Sequence, residues 1–448
     1  MNIALVAMSG IRVCDTELLR VGLTLPGFVE RSKVIASLPS LGLLTLAGMT
    51  PRRHTVSYVE IPDIAQMGPL PTGFDLVAIS SYSAQIDEAY ELARRYTAAG
   101  IRTVIGGPHV SARPDEAAQH CEAVVVGEGE TFWPQVLEDA EAGRLQPRYQ
   151  EPRDAFEMID APVPAFELLD ISKYNRLTVQ TSRGCPHHCE FCAGSVVLTG
   201  GYKQKPIAKV LNEIERIQAI WERPFIEFAD DNTFVDRAYW RELLPALRGK
   251  HLRWFAETDL SVADDARLLE LMRETGCAQV LVGLESPAET GLAGLELRSD
   301  WKLRRFPRYK EAIRAIQSHG ITVNGCFVLG LDGHTPDVFG QVMDFVRETG
   351  LYEVQSTLQT PFPGTPLYER LEREGRLIEP TNWKTCTLFD INFRPLGMSV
   401  DELRQGFRKL AVELYSEEFI NWRRGNFKKW LREHRLSGAS RTGEVHPC

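Results

Sequence analysis

The 448-residue chain lacks an excess of positive charge. It carries 51 Lys and Arg against 60 Asp and Glu, which gives a formal net charge of −9. Proteins that bind nucleic acid along its phosphates present a basic surface to it. We therefore expect no nucleic-acid partner.

The chain also lacks a hydrophobic run long enough to cross a membrane. The most apolar stretch, residues 34–49, is shorter than the ~20 residues that a span needs, and Pro39 interrupts it. The opening residues, MNIALVAMSG, contain neither a cationic start nor the small-residue cleavage site of a signal peptide. Nine cysteines, an odd number, do not suit a secreted disulfide framework. We expect a cytoplasmic protein with reduced thiols and no membrane partner.

Short β-branched runs alternate with helical patterns in the first third of the chain. Strands are predicted at residues 3–7, 55–60, 76–80, 103–106 and 123–126, with helices at 87–99 and 115–120. This pattern predicts a doubly wound, Rossmann-like α/β domain over residues 1–145. Such sheets bind ligands at the carboxyl ends of their strands, here the turns at 80–83 and 106–109, unless these are ordinary turns. Prolines at 147, 152, 162 and 164 predict a linker over residues 146–170.

A second series of strands and helices begins near residue 177. Six strands are predicted, at residues 177–182, 225–229, 254–258, 279–284, 323–329 and 354–359. They predict a partial, TIM-like (β/α)6 barrel over residues 171–370, with its working face at the carboxyl ends of the strands. Residues 371–448 are predicted to be a helical region that ends in a disordered tail from residue 436.

Three of the nine cysteines follow the first predicted barrel strand, with the spacing C-x3-C-x2-C: Cys185, Cys189 and Cys192. Three thiolates can hold three irons of a 4Fe-4S cluster and leave the fourth iron open, whereas a closed electron-transfer cluster needs four. The alternative is a Cys3His zinc site that uses His187 or His188. Structural zinc sites usually combine two separated ligand pairs, and no second pair is present. The triplet therefore favours the iron–sulfur cluster.

With this triplet the chain resembles a radical S-adenosylmethionine (SAM) enzyme, in the class whose N-terminal domain is of the cobalamin-binding (B12-binding) type. The resemblance implies that the cysteines hold the cluster and that its open iron chelates the amino and carboxylate groups of SAM. One electron then cleaves SAM to a 5′-deoxyadenosyl radical, which abstracts hydrogen from a small-molecule substrate. A one-electron donor such as flavodoxin or ferredoxin is implied as a partner.

The resemblance also assigns apolar cofactor contacts. Phe191, directly before the third cysteine, stands where the family places an aromatic ring near the adenine. Val328 lies on the strand that flanks the adenine in the family. Simple packing remains the alternative for both side chains.

Polar cofactor contacts are implied at two further strand ends. Asp230 and Asp231 replace the family's Gly-Gly-Glu motif, so the carboxylate that meets the methionine amino group stays open. Glu285 and Ser286 resemble the pair that binds the methionine end or the ribose. An unpaired carboxylate inside a barrel costs several kcal/mol, which favours a role for each of them.

The predicted strand ends carry a surplus of acids: Glu227, Asp230, Asp231, Glu257, Asp259 and Glu285. We identify Asp230, Asp231 and Glu257 as candidate catalytic groups. Such acids would pair with the ammonium groups of an amino sugar, and one could act as general acid or base when water leaves. For each acid alone, a solvated or helix-capping role is the alternative.

The histidine motif of cobalamin domains of the methionine-synthase type, Asp-x-His-x-x-Gly, is absent. The first histidine is His54, and the Asp-x-His at 332–334 lies in the predicted barrel and lacks the glycine. A histidine-ligated cobalamin is therefore unsupported. Cobalamin bound without a protein ligand, with its tail at the turns 80–81 and 106–107, and a retained scaffold without cobalamin both stay open.

Two reactions are compatible with the resemblance. Our main hypothesis is radical dehydration of a vicinal diol in an amino sugar, as in the aminoglycoside (apramycin-pathway) radical dehydratase type, which is a lyase of antibiotic biosynthesis; a reductase could then act on the product. The alternative is a cobalamin-dependent radical SAM C-methyltransferase. A short chain and the surplus of acids favour dehydration. A regulatory cobalamin- or nucleotide-binding protein is disfavoured, because a sensor does not need an open iron.

Overall fold

A computed structural model describes residues 1–21, 38–150 and 155–439. In its N-terminal part, six parallel strands form one sheet in the order β2-β1-β3-β4-β5-β6. These strands are β1 (Asn2–Met8), β2 (Thr55–Ile61), β3 (Leu76–Ser80), β4 (Arg102–Gly106), β5 (Ala123–Val126) and β6 (Arg148–Gln150). The strand order reverses between β1 and β3, at the switch point where sheets of this type bind ligands.

A second sheet of six parallel strands forms the partial barrel, in the order β14-β13-β12-β11-β10-β7. Its strands are β7 (Leu177–Val179), β10 (Phe225–Phe228), β11 (Arg253–Thr258), β12 (Cys277–Glu285), β13 (Thr322–Leu329) and β14 (Glu353–Leu358). Two short antiparallel strands, β8 (Ser182–Arg183) and β9 (Lys203–Gln204), lie beside its first strand. The described residues therefore confirm the α/β fold class, with a Rossmann-like sheet followed by a six-stranded barrel.

Helices cover both sheets and continue into the C-terminal region. They are α1 (Thr16–Val21), α2 (Leu41–Met49), α3 (Ile86–Ala98), α4 (Pro108–Ala112), α5 (Pro114–Ala117), α6 (Gly129–Glu141), α7 (Ile207–Ile220), α8 (Arg237–Leu247), α9 (Ala266–Glu274), α10 (Trp301–Arg305), α11 (Tyr309–Ser318), α12 (Val338–Thr349), α13 (Pro366–Arg373), α14 (Val400–Leu414) and α15 (Glu417–Ala439). Within the described ranges, no helix is both long and apolar enough to span a bilayer.

Strands β10 and β11 show which side chains face the inside of the barrel. Phe228 and Trp254 point outward and pack against Trp240 of α8, with ring centres 5.1 and 6.4 Å from its own. Because neighbouring side chains of a strand point to opposite faces, Glu227 and Glu257 point inward. The helices therefore take the aromatic face, and the barrel interior receives the acids.

The structure differs from the sequence-based prediction at several boundaries. Within the predicted linker, β6 joins the first sheet, because the ring of Tyr149 is buried and its hydroxyl donates to Asp139 at 2.9 Å. The first barrel strand is interrupted after Val179, and the chain resumes as β8. Helix α5 ends at Ala117 rather than residue 120. Of the predicted disordered tail, residues up to 439 continue α15, and residues 440–448 lie outside the described ranges.

Candidate active site

The segment that leads to the three cysteines is attached to the end of β10 through Asp230. One carboxylate oxygen of Asp230 accepts hydrogen bonds from the amides of Thr181 and Ser182 at 2.6 and 2.8 Å, and the other accepts from the Thr181 hydroxyl at 2.5 Å. Burial raises the pKa of Asp230 to about 6, against the lowering effect of these hydrogen bonds. Asp230 thus holds the segment in place and has little capacity left for a substrate.

Asp231 holds the next residue of the same segment. Its carboxylate accepts a hydrogen bond of 2.8 Å from the amide of Gly184, and burial raises its pKa. Gly184 has a φ of 84°, and a side chain there would overlap the carbonyl oxygen of Gly201. Only glycine fits this position, one residue before the first cysteine.

The opposite side of the cysteine loop is held by Glu296. Its carboxylate accepts a hydrogen bond of 3.1 Å from the amide of His188, and Cys189 and Glu296 form an isolated antiparallel bridge. The amide of Glu190 donates to the carbonyl of Leu295 at 3.0 Å. The loop is therefore held from both sides independently of any metal.

The three thiols suit an iron–sulfur cluster by their chemistry and environment. Burial, with a smaller contribution from the charge of Cys192, raises the pKa of Cys185 to about 11 and that of Cys189 to about 12. Thiolates gathered in such a place need a cationic metal to stabilise them. The residues present therefore fit a cluster held by Cys185, Cys189 and Cys192.

Asp259, at the end of β11, organises polar groups beside the first cysteine. It accepts hydrogen bonds from Asn232 at 2.7 Å and from His187 at 3.3 Å, and the Asn232 amide also lies 3.8 Å from the Cys185 sulfur. Burial alone would raise the pKa of Asp259, but hydrogen bonds from His187, Ser261 and Asn232 outweigh it and lower the pKa below the usual range. The ring of His187 is therefore already engaged by Asp259.

Glu285 ends β12 in an unusual backbone conformation. Its φ is 63°, in the left-handed region that non-glycine residues seldom adopt and that often marks functional sites. Its carboxylate pairs with the Lys302 ammonium at 2.8 Å, and both side chains are buried. Burial disfavours the charged lysine, but the charge of Glu285 outweighs it and raises the pKa of Lys302. The pair lies close enough to Cys189 for their charges to act on that thiol.

Ser286, the next residue, is already engaged. Its hydroxyl donates to the carbonyl of Ala288 at 2.7 Å and lies 3.0 Å from Nε2 of His334. Burial lowers the pKa of His334 to about 4, so its ring is neutral at pH 7. The histidine of the Asp-x-His tripeptide therefore belongs to the support of β12.

Phe191 and Val328 occupy positions consistent with packing or with an adenine. Phe191 is half-buried against the core next to the third cysteine. Val328 is 8% exposed on β13, beside Thr357 of β14. Their roles as adenine contacts stay predictions.

Two of the inward-facing acids lie on adjacent strands, and they differ in their partners. Glu227 forms a buried ion pair with Arg176. Glu257 is partly accessible, and among the described residues no side chain or amide forms a hydrogen bond or ion pair with its carboxyl group. Burial, then the charges of Glu227 and Asp231, raise the pKa of Glu257 to about 8. Glu257 is therefore largely protonated at pH 7.

A cavity of about 560 Å³ lies where the carboxyl ends of the first sheet face the barrel. Its wall on the first sheet comes from the ends of β1, β3, β4 and β5, and its wall on the barrel side includes Arg183, Glu227 and Asp231. Gly107 has a φ of 102°, and a Cβ there would lie 2.9 Å from the hydroxyl of Ser80. Both predicted turns thus line the cavity, and they pack closely at its wall.

The cavity fits one of the two alternatives left open by the sequence, a corrinoid bound without a protein histidine ligand. The described residues that line it are mostly small or aliphatic and include no histidine. His54 lies away from it, with Nδ1 3.3 Å from the amino terminus of Met1. A pocket formed by backbone turns at a switch point suits a large, largely neutral ligand.

Sequence reasoning did not find two basic residues of this region. Lys302 is the partner of Glu285, and Arg183 pairs with Glu128 and Glu130 of the first domain. No local pattern identifies Lys302, because it lies 17 residues from Glu285 in the sequence. Arg183 stands two residues before the first cysteine. Its place in the sequence therefore indicated that it lies near the cluster, but it did not indicate which acids it pairs with.

Family models match three parts of the chain. The Radical SAM superfamily model matches residues 179–346, and the B12 binding domain model matches residues 32–137. A domain of unknown function matches residues 365–444.

The chain is similar to curated bacterial enzymes over most of its length. The hopanoid C-2 methylase of Rhodopseudomonas palustris is 31% identical over 362 residues, which cover 78% of this chain and 67% of that protein. The bacteriochlorophyllide d C-12(1)-methyltransferase of Chlorobaculum tepidum is 27% identical over 356 residues, which cover 78% of this chain and 76% of that protein.

Solved structures share the fold. The radical SAM methyltransferase TsrM from Kitasatospora setae, with cobalamin and a 4Fe-4S cluster bound, superposes with a TM-score of 0.65 and 14% identity, covering 98% of this chain and 99% of that one. The cobalamin-dependent enzyme OxsB, with aqua-cobalamin and SAM bound, gives a TM-score of 0.67 and 14% identity, covering 97% and 71%.

These comparisons decide between the alternatives left open by the cysteine triplet. Membership of the family implies an iron–sulfur cluster rather than zinc, and an enzyme rather than a sensor. The chain belongs to the radical SAM superfamily, as an enzyme that uses a 4Fe-4S cluster to cleave SAM to a 5′-deoxyadenosyl radical and that carries an N-terminal B12-binding domain.

Proposed function

We propose that the protein is a cobalamin-dependent radical SAM C-methyltransferase. The observation that carries this proposal is that the cavity of the B12-binding domain and the cluster loop share a wall. Arg183 and Asp231 both line the cavity. Arg183 belongs to the segment that precedes Cys185, and Asp231 accepts a hydrogen bond from Gly184 of the same segment. A substrate between the two cofactor sites would therefore be within reach of both.

The dehydration hypothesis loses the support of its surplus of acids. Most of the acids at the strand ends already have partners in the protein, among them Asp230 with the Thr181–Ser182 segment, Asp231 with Gly184, Glu227 with Arg176, Asp259 with Asn232, and Glu285 with Lys302. Of the six acids, only Glu257 has no hydrogen-bond partner among the described residues. The surplus is therefore explained by loop anchoring and ion pairs rather than by an amine-bearing substrate.

Chain length also gives no reason to prefer dehydration. The match to TsrM, which is described as a methyltransferase, covers 98% of this chain and 99% of that one. The curated relatives reported above are a methylase and a methyltransferase. These similarities support methyl transfer, and they lend no support to a lyase of antibiotic biosynthesis.

The residues of this chain divide into ligands and supports. Cys185, Cys189 and Cys192 would hold the cluster. When bound, the cofactors supply a 5′-deoxyadenosyl radical that abstracts hydrogen and a methyl group that replaces it. We assign Asp230 and Asp231 to holding the cysteine segment, rather than to the acid–base role or, for Asp230, the cofactor contact expected from the sequence, because their oxygens already accept its hydrogen bonds.

Four further residues keep proposed contacts to SAM. Phe191 and Val328 are proposed to flank the adenine. Glu285 and Ser286 are proposed to bind the methionine end or the ribose. The positive φ of Glu285 and the hydrogen-bonded hydroxyl of Ser286 preset their orientation. Glu257 is proposed to face the substrate as a neutral hydrogen-bond donor, because it points into the barrel and has no hydrogen-bond partner in the part of the chain that the structure describes.

The partners follow from the reaction class. The enzyme needs a small-molecule substrate and a one-electron donor, for which flavodoxin or ferredoxin is the proposed type. Methyl transfer does not require the reductase that a dehydrated product would need. An amino sugar no longer has a structural argument in its favour, because the acids are engaged within the protein.

Anaerobic reconstitution tests the proposal. The full chain is loaded with iron and sulfide, incubated with hydroxocobalamin, and given SAM, a reductant and a panel of candidate substrates. Methyl transfer predicts retained corrinoid, formation of both 5′-deoxyadenosine and S-adenosylhomocysteine, and deuterium in the product when the SAM methyl group is deuterated.

Radical dehydration predicts a different set of products. If turnover yields 5′-deoxyadenosine and a dehydrated product, with no corrinoid retained and no S-adenosylhomocysteine, the methyltransferase proposal is wrong and elimination replaces it.

A further inference from the structure

Arg183 lies between the cluster loop and the B12-binding domain. Its guanidinium donates to Glu128 at 2.9 Å and to Gln180 at 2.9 Å, and it forms a second ion pair with Glu130. The side chains of Arg183, Glu128 and Glu130 are 16, 11 and 7% exposed. The ion pairs are thus largely shielded from water. Opposite charges attract each other more strongly in such a place, because the dielectric constant is lower than in water.

On the barrel side, the backbone around Arg183 is held in place. Asp230 binds the amides of Thr181 and Ser182, and Asp231 binds that of Gly184. Gly184 has no room for a side chain, and Cys185 follows it directly. A displacement of Arg183 would therefore be passed to the first cysteine rather than absorbed by a flexible loop.

On the other side, the two glutamates belong to the turn after β5. Glu128 precedes α6, and Glu130 lies in its first turn. Both residues line the 560 Å³ cavity, as does Arg183. A ligand that fills this cavity therefore meets the same carboxylates that hold the cluster loop.

We propose that Arg183 is a positioning residue that couples the corrinoid cavity to the cluster loop, so that corrinoid and SAM bind cooperatively. This inference rests on the proposed function, since it takes the cavity to be the corrinoid site. Arginine suits the task because its rigid planar group spreads five donors over three nitrogens, one for Gln180 and one for each glutamate, whereas a lysine offers a single nitrogen on a flexible stem.

The experiment measures the dissociation constant of SAM on the cluster-loaded full chain, with and without saturating hydroxocobalamin. In the wild type we expect SAM to bind about five- to tenfold more tightly with the corrinoid present, within the usual range of coupling between sites. In Arg183→Gln the dissociation constants of SAM with and without the corrinoid should agree. The spectrum of the reduced cluster in electron paramagnetic resonance should change on corrinoid addition in the wild type and not in this variant.

Two further variants make the result specific. Glu130→Gln breaks the same contact from the B12-binding domain and leaves the cysteine segment untouched, so it tests the coupling even if Arg183→Gln fails to load its cluster. Arg53→Gln is the matched control: Arg53 pairs with Glu141 at 3.2 Å at the other end of α6, and neither residue lines the cavity. This control should keep the wild-type ratio.

The outcomes separate the inference from the proposed function. If Glu130→Gln and Arg183→Gln keep the wild-type ratio and spectral change, or if the wild type shows neither, the coupling is refuted although the corrinoid binds. If the wild-type chain retains no corrinoid at all, the proposed function fails first, and the coupling fails with it.

Discussion

Glu190 and Arg370 lie 180 residues apart in the sequence and form a two-pronged ion pair, with N–O distances of 2.7 and 3.0 Å. Glu190 stands between the second and third cysteines of the cluster loop, and Arg370 lies on α13. Arg370 also pairs with Asp332 at 2.7 Å. The ion pair therefore fastens the cluster loop to the chain that follows the last two barrel strands.

Replacing Arg370 should loosen the cluster loop. Arg370→Gln leaves the largely buried Glu190 carboxylate without its charged partner, which should lower the free energy of unfolding by about 1–3 kcal/mol. Iron retained per chain after gel filtration should fall as well. Arg95→Gln removes an exposed helical ion pair with Glu91 and should change stability by less than about 0.5 kcal/mol. Equal effects of the two variants would contradict this account.

The cysteine triplet should be indispensable and the other thiols dispensable. Cys189→Ala should abolish the brown colour, the iron content and SAM cleavage together, because two thiolates cannot hold the cluster with one open iron. Cys14→Ser alters an exposed thiol outside the triplet and should retain all three. Retained turnover in Cys189→Ala would contradict the assignment of the cluster ligands.

Gly184 should tolerate no side chain. In Gly184→Ala the new methyl group meets the backbone of Gly201 in addition to the strain of a positive φ, so cluster loading should be lost. Gly249→Ala is the matched control, since its φ is 77° but nothing lies within 4 Å of the new atom. The control should lose only about 1–2 kcal/mol from backbone strain and keep its iron. Similar iron contents in both variants would show that space at Gly184 is not limiting.

Glu257 should make stability depend on pH. Its pKa is raised from 4.5 to about 8 by burial and by Glu227 and Asp231, against the pull of Arg176. Between these two values the folded chain keeps a proton that the unfolded chain has released, so stability falls as pH rises through this window. Glu257→Gln removes this loss. The free energy of unfolding of the variant, relative to that of the wild type, should therefore rise by on the order of 1–3 kcal/mol between pH 5 and pH 8. Urea midpoints at both pH values measure the gain, and an equal difference at both would refute it.

Local patterns in the sequence determined the elements and the cluster. The strands of both sheets followed from β-branched runs, and most began or ended within one or two residues of their predicted bounds. The spacing of Cys185, Cys189 and Cys192 identified the cluster site, because these ligands come from one short loop whose geometry depends on adjacent residues. β6 was missed because a three-residue strand carries little periodicity.

The tertiary structure alone decided what each acid does. The sequence placed Asp230, Asp231 and Glu257 at strand ends but could not distinguish an anchor from a free group. Asp230 is an anchor because Thr181 and Ser182, nearly fifty residues earlier in the chain, lie against it just after the neighbouring strand β7. The sequence also did not predict three other ion pairs: Glu285–Lys302, Glu190–Arg370 and Arg183–Glu130. Such pairs depend on how strands, helices and domains pack against one another, and residue order along the chain does not specify that packing locally.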